Sequence, residues 1–132
     1  MLKEAKCLLQ PQSVAIVDDD ALVRGSVATL IRSLGLSAQT FASAEDYLQA
    51  SEAESFACLI TDVQMPGISG LQLQRILAAK GAGPPVIMMT AFADDRTRTQ
   101  AFETGAVCFL EKPVDGDALV GCVESLLGTS EG

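Results

Sequence analysis

The feature that most constrains the fold is a five-fold alternation of short strand-like apolar runs with helix-like segments. The strand-like runs cover residues 14–17, 37–41, 57–61, 85–90 and 106–110. Short apolar runs bounded by turn residues are typical of buried strands. Strict strand-then-helix alternation predicts a parallel sheet with helices on both faces and right-handed crossovers. We therefore predict an α/β fold with one doubly wound domain at residues 13–128 and short tails at 1–12 and 129–132.

The segments between these runs carry helix signals. The first has apolar residues at helical spacing, among them Val23, Val27 and Leu30, and Gly35 is placed to end it. Residues 43–46 have the form of a capping box that begins the second helix. Three further helices are predicted at residues 71–80, 95–104 and 117–127.

The helix predicted at residues 95–104 is unusual because its only apolar residues are Ala101 and Phe102. Such a helix can bury little surface, so we expect it to be weakly docked. An ordinary solvent-facing helix and a mobile switch element both fit this pattern.

Composition excludes several classes of function. The 132 residues fit one domain, and 48% hydrophobic residues argue against disorder. Nine basic and seventeen acidic residues give a net charge of −8, which disfavours nucleic acid or anionic membrane as a direct ligand. The absence of histidine excludes imidazole catalysis within these residues. Four cysteines match no metal or redox motif, so we expect reduced thiols and a cytoplasmic protein without a signal peptide or membrane span.

Polar residues cluster at the C-terminal ends of four of the strand-like runs. These residues are the triplet Asp18, Asp19 and Asp20, then Asp62, Thr90 and Lys112. In an open α/β sheet the carboxyl ends of the strands point into one crevice. The pattern therefore predicts acids, a hydroxyl and an ammonium in a single cavity.

This combination suits phosphoryl transfer. An aspartate such as Asp62 can act as a nucleophile and carry phosphate as an acyl phosphate. The adjacent carboxylates of Asp18 and Asp19 would repel each other without a cation, and Mg²⁺ favours such oxygen ligands. Lys112 and Thr90 could bind phosphoryl oxygens.

Each residue also has a simpler interpretation. An Asp triplet before a helix most often includes an N-cap, a role we predict for Asp20, and a lone Asp62 before Met-Pro-Gly is often only a turn residue. Thr90 suits a strand end by propensity, and Lys112 would usually be exposed. The agreement of all four positions favours a common site over these separate interpretations.

Together the residues resemble the receiver domain of two-component response regulators, most of all the nitrogen-fixation regulator (FixJ-type) kind, over about residues 13–127. The motifs that carry the resemblance are residues 16–20, 59–67 with Gly70, 86–91, and Gly105-Ala106 leading to residues 109–113. The resemblance implies a flavodoxin-like, five-stranded parallel sheet in the order 2-1-3-4-5 with five helices.

The resemblance also implies residue roles. Asp62 matches the phosphoacceptor, which receives its phosphoryl group from a sensor histidine kinase. Asp18, Asp19, Asp62 and the backbone carbonyl of Gln64 match the Mg²⁺ ligands, with Asp19 the more direct of the acidic pair. Lys112 matches the phosphoryl-binding lysine.

Other matched positions imply a conformational switch. Thr90 matches the switch hydroxyl, and the small residue Ala91 leaves room for the phosphoryl group. Phe109 matches the aromatic residue that changes rotamer with Thr90, and Lys112–Pro113 matches a cis peptide. Phosphorylation would then alter the face made by the fourth helix, fifth strand and fifth helix, for homodimerisation or control of a partner or output domain.

In this family a DNA-binding domain often follows the receiver, and none lies in these residues. The resemblance implies no enzyme beyond its own phosphoryl transfer and dephosphorylation. Alternatives are a stand-alone receiver acting as a phosphate sink or docking module, and a Mg²⁺-dependent aspartyl phosphohydrolase. The phosphohydrolase would need a second acid where Gln64 stands. A flavin module would need a phosphate cradle where Asp18–Asp20 stand.

Overall fold

The computed structural model describes residues 12–51, 56–81 and 83–127. In this part of the chain the strands are β1 (Ser13–Val17), β2 (Ser37–Phe41), β3 (Cys58–Asp62), β4 (Val86–Thr90) and β5 (Cys108–Glu111). The helices are α1 (Ala21–Ser33), α2 (Ala44–Ser51), α3 (Gly70–Ala79), α4 (Asp95–Glu103) and α5 (Gly116–Leu127). The predicted alternation of strands and helices is confirmed.

The five strands form one parallel sheet in the order β2-β1-β3-β4-β5. This order confirms the doubly wound, flavodoxin-like fold and places β2 at an edge. The order changes direction between β1 and β3, where a parallel α/β sheet forms its binding crevice.

Alternate residues of the central strands pack into two cores. On one face, Ile16, Ile60 and Met89 pack with α1 and α5, which contribute side chains such as Ile31 and Leu119. On the other face, residues of the same strands pack with α2, α3 and α4. β3 and β4 are buried along their whole length, which explains their continuous apolar sequences.

Side-chain caps determine where several helices begin. Asp20 caps α1, its carboxylate accepting hydrogen bonds from the N–H groups of Leu22 and Val23, as predicted. Ser43 Oγ accepts a hydrogen bond from Asp46 N–H at 3.1 Å, which is the serine half of the predicted capping box. Ser69 caps α3 in a complete capping box with Gln72, which was not predicted from the sequence.

Element boundaries differ from the predictions by one or two residues. β3 includes Asp62 rather than ending before it, and β5 begins at Cys108 rather than at Ala106. Residues 1–11 of the predicted N-terminal tail and the whole predicted C-terminal tail, 129–132, lie outside the described residues. Gln12, assigned to the N-terminal tail, already accepts a hydrogen bond from Ser37 N–H through its carbonyl at 2.9 Å.

None of the helices in the described ranges is long and apolar enough to cross a membrane. Cys58 is buried, whereas Cys108 is only partly buried because β5 is an edge strand. Cys7 lies outside the described residues.

Candidate functional site

Strand register brings the predicted site residues to one edge of the sheet. Val17 pairs with Thr61, so Asp18 and Asp62 each lie one step further at the carboxyl ends of neighbouring strands. Asp62 itself pairs with Met89, which places Thr90 one step beyond. Thr90 pairs with Glu111 on β5, and Lys112 follows. Parallel pairing therefore gathers residues that are far apart in the sequence.

The side chain of Lys112 reaches across the sheet to two carboxylates. Its Nζ lies 2.8 Å from Asp18 Oδ2 and donates a hydrogen bond to Asp62 Oδ2 at 3.1 Å. Asp18 is fully buried, and only 14% of the Lys112 side chain is exposed. Burial lowers the pKa of Lys112, but its contacts with Asp18 and Asp62 outweigh that effect and raise the pKa. The lysine therefore carries a fixed positive charge between two acids.

The surroundings of Asp62 have opposing effects on its pKa. Burial raises its pKa, and the neighbouring Asp18 charge raises it further, while contacts with Lys112 and Gln64 lower it. The net effect is a raised pKa. Oδ1 of Asp62 accepts a hydrogen bond from Gln64 N–H at 3.2 Å, so each carboxylate oxygen has one donor.

Three carboxylates form a cluster that could hold a cation. One oxygen each of Asp18, Asp19 and Asp62 lies within 4.8 Å of the others, and Asp19 is exposed. Asp18 Oδ2 is buried, and it forms the ion pair with Lys112 Nζ at 2.8 Å. A cluster of three carboxylates offers only oxygen ligands, which suits a hard divalent cation such as Mg²⁺.

Arg24 supports this cluster and was not identified from the sequence. Its Nη1 donates a hydrogen bond at 2.7 Å to the backbone carbonyl of Asp18, while Asp18 N–H donates to the carbonyl of Phe41 at 3.1 Å. An arginine in the first turns of a helix has no local signal for such a contact. Only the path of the chain around Asp20 brings Arg24 back to Asp18.

Thr90 is fully buried at the end of β4 and is linked to both neighbouring loops. Its carbonyl accepts a hydrogen bond from Lys112 N–H at 2.8 Å, and its hydroxyl oxygen accepts one from Phe92 N–H at 3.0 Å. Ala91 is exposed beside it. Lys112–Pro113 is a cis peptide, as the resemblance implied.

Phe109 lies on β5 in a small aromatic cluster with α4. Its ring centroid is 6.3 Å from that of Phe102, and the guanidinium of Arg98 lies 5.7 Å from Phe109 and 6.0 Å from Phe102. These distances suit cation–π contacts. Phe102 is 43% exposed and neighbouring Val107 45%, so this face presents apolar surface.

Gly70 allows α3 to begin directly beside the site. A Cβ atom at this position would overlap the backbone carbonyl of Asp62 and lie 3.0 Å from Val63 Cα. Gly70 N–H donates to the carbonyl of Val63 at 2.8 Å. The glycine in the motif therefore permits close approach of two backbones.

Comparisons with known proteins agree with this geometry. Residues 14–124 match the family model described as the response regulator receiver domain. The chain is 44% identical over 117 residues to the transcriptional regulatory protein FixJ of Azorhizobium caulinodans, covering 89% of this chain and 56% of that protein. It is 39% identical to the transcriptional regulatory protein TdiR of Thauera aromatica, covering 87% and 51%.

Solved structures show the same fold. The crystal structure of FixJ-N is 32% identical with a TM-score of 0.81, covering 89% of this chain and 94% of that one. The BeF3-activated DrrB receiver domain is 28% identical with a TM-score of 0.82, covering 90% and 99%.

The chain spans about half the length of the curated relatives it matches. Those relatives are named as transcriptional regulators rather than enzymes. The matched family model, the relatives and the sheet order agree. The chain therefore belongs to the receiver domain family of two-component response regulators, and it is similar to FixJ proteins over most of its length.

Proposed function

We propose that this receiver accepts a phosphoryl group on Asp62 from the phosphohistidine of a sensor kinase. The observation that carries the proposal is the position of Lys112 Nζ between Asp18 and Asp62 inside a cluster of three carboxylates. An ammonium held at this point can bind an oxygen of a phosphoryl group attached to Asp62.

The transfer is a direct displacement. A carboxylate oxygen of Asp62 attacks phosphorus, the phosphorus–nitrogen bond of the donor breaks, and the imidazole leaves with the electron pair. Bound Mg²⁺ would neutralise charge between the carboxylate and phosphoryl oxygens. Asp18, Asp19, Asp62 and the Gln64 carbonyl are the proposed ligands, and Gln64 N–H orients Asp62 Oδ1.

We assign the switch to Thr90 and Phe109. Turning the Thr90 hydroxyl toward a phosphoryl group would break its bond with Phe92 N–H, and Phe92 lies in the loop that leads to α4. The small, exposed side chain of Ala91 leaves room for the phosphoryl group beside Thr90. The Phe109 ring contacts Phe102 of α4, so movement at Thr90 and Phe109 would reach the α4–β5–α5 face.

This face is our proposed output surface, for homodimerisation or for control of a partner. We propose that the partner is a C-terminal DNA-binding output domain in a cytoplasmic, kinase-coupled pathway, and the relatives' names as transcriptional regulatory proteins support an output in transcription. The receiver unit would then span residues 13–128.

The test is intact-mass spectrometry after incubation with phosphoramidate and MgCl₂. We expect one added phosphoryl group on the wild type, none in excess EDTA, and none on Asp62→Asn. Asp117→Asn, an exposed change in the first turn of α5, serves as the control and should label like the wild type. Undiminished labelling of Asp62→Asn would refute the proposal. Turnover of a small phosphate ester would instead favour a phosphohydrolase.

A further inference from the structure

We infer that Arg24 is a positioning residue for the acidic cluster, and this inference rests on the proposed Mg²⁺-dependent function. Its Nη1 donates to the Asp18 carbonyl at 2.7 Å, a charge-assisted contact at the short end of the usual range. Arg24 is half-buried on α1, so its guanidinium is held rather than freely solvated.

With the contact from Arg24, every polar atom of Asp18 except one forms a hydrogen bond. Asp18 N–H is bound to Phe41, Oδ1 accepts from Asp20 N–H at 2.9 Å, and the carbonyl accepts from Arg24. Only Oδ2 accepts no hydrogen bond from the described residues, and it faces Lys112. The structure thus fixes the backbone and the carboxylate orientation of this aspartate, with Oδ2 in the ion pair with Lys112.

The charge of Arg24 does not by itself favour cation binding. A guanidinium six residues from Asp18 in the chain, bonded to its backbone, would oppose the binding of a divalent cation to the same residue. Its benefit must therefore come from geometry. Groups that orient ligands in this way typically change metal affinity by about 10- to 100-fold when they are removed.

The contact also connects α1 to the site. Asp20 caps α1, and Arg24 N–H donates back to the Asp20 carbonyl at 3.0 Å in the first turn. The same turn therefore carries the cap and the side chain that returns to Asp18. A shift of α1 would move the Asp18 backbone with it.

Two substitutions separate the hydrogen bond from the charge. Arg24→Gln removes the charge and keeps an N–H donor, whereas Arg24→Met removes both, and all three residues are good helix formers. Binding is followed through the amide NMR shifts of residues 18–20 and 62–64 in ¹⁵N-labelled protein titrated with MgCl₂. The thermal unfolding midpoint in EDTA reports folding, and Arg24→Ala replaces the Met variant if that variant unfolds.

We expect Arg24→Met to raise the Mg²⁺ dissociation constant by about 10-fold or more, and Arg24→Gln to stay within about 3-fold of the wild type. Equal or tighter binding by both variants would overturn the inference, since it would mean that the guanidinium acts only as a repelling charge. A lower unfolding midpoint with unchanged affinity would also overturn it, because the role would then be purely structural. If the wild type itself showed no Mg²⁺-dependent shifts, the proposed function would fail and not only the role of Arg24.

Discussion

At the scale of single residues, the fold holds charged side chains close together in the site, and this proximity lowers the free energy of unfolding. Asp62 carries a raised pKa because burial and Asp18 outweigh the stabilising contacts with Lys112 and Gln64. Its ionised form therefore opposes folding when no cation is bound. Such stored repulsion is a common property of functional sites.

This imbalance predicts a pH-dependent effect of Asp62→Asn on stability. The pKa of Asp62 in the folded state lies above its unfolded value of about 3.9. The stability that this shift contributes is therefore fully present below the unfolded pKa and is lost as the pH rises through the folded pKa. Asparagine does not titrate. In EDTA, the free energy of unfolding of the variant should equal or lie below that of the wild type in acid. At neutral pH it should lie above that of the wild type.

Urea denaturation of both proteins at pH 3.5 and pH 7 measures this difference. A variant less stable than the wild type at neutral pH, with no gain relative to acid, would contradict the assigned balance of charges.

Lys112→Met should have the opposite effect. Removing the ammonium leaves Asp18 and Asp62 buried without their cation, and breaking such a pair costs about 3 kcal/mol of unfolding free energy. MgCl₂ should restore part of that loss, because a divalent cation can take the place of the charge. The measurement is urea denaturation with EDTA and with MgCl₂.

Lys80→Met, at an exposed lysine after α3, is the matched control and should change stability by less than about 0.5 kcal/mol. If both lysine variants behaved alike in EDTA, the central role of Lys112 in the cluster would be wrong.

The sequence identified the acids, the hydroxyl and the lysine because each follows a recognisable apolar run. It did not identify Arg24 or Arg98, because their contacts depend on where a helix lies relative to a loop or a neighbouring strand. Residue type and spacing carry no information on such distances. The exposed N-cap role of Asp20 was predictable because it is local in sequence.

At the scale of elements, the start of α3 leaves no space for a side chain at Gly70. Gly70→Ala would force a methyl group against the carbonyl of Asp62, which should lower the free energy of unfolding by about 1–3 kcal/mol and displace Asp62. We expect phosphoramidate labelling to slow as well. Urea denaturation and intact-mass labelling measure the two effects.

Gly121→Ala is the matched control, since the helical Gly121 has open space around it. Alanine there should raise stability by about 0.5–1 kcal/mol and leave labelling unchanged. Equal stability of the two alanine variants would show that Gly70 is not needed for the close approach.

Helix α4 is the element with the least support. It fully buries only Ala101, whereas α1 buries Val27, Ala28 and Ile31, and the rest of its contact with β5 includes the partly exposed Phe102 and Arg98. Its sparse apolar sequence predicted this weak docking. Elements with few buried apolar contacts open most readily.

Hydrogen exchange followed by mass spectrometry should therefore show faster exchange in α4 than in α1 before phosphorylation. After phosphoramidate treatment, exchange in α4 and β5 should change more than in α1, and Asp62→Asn should show no such change. Identical responses of α1 and α4 in the wild type would count against α4 as the switch element.

Five strand–helix units were predictable because the apolar runs are continuous and the caps are local. The ends of β3 and β5 were harder to predict, because the extent of strand pairing depends on the neighbouring strand rather than on the segment itself. The sheet order came from the family resemblance, since alternation alone does not define it.

At the scale of the whole molecule, composition and topology determine what the receiver requires from partners. These 132 residues contain no histidine, so a phosphohistidine donor must lie outside them. The net charge of −8 and the acidic crevice favour a donor whose docking surface is basic or neutral around the histidine. Because the relatives are about twice as long as the matched region, an output activity would depend on a further domain.

The central claim is that phosphate resides on Asp62, and the most direct test is to locate it chemically. Wild-type protein treated with phosphoramidate and MgCl₂ is reduced with borohydride, which converts an aspartyl phosphate to homoserine, and its peptides are sequenced by tandem mass spectrometry. We predict homoserine at position 62 and aspartate at positions 18 and 19. Homoserine at another position, or phosphate only on a hydroxyl side chain, would contradict the account.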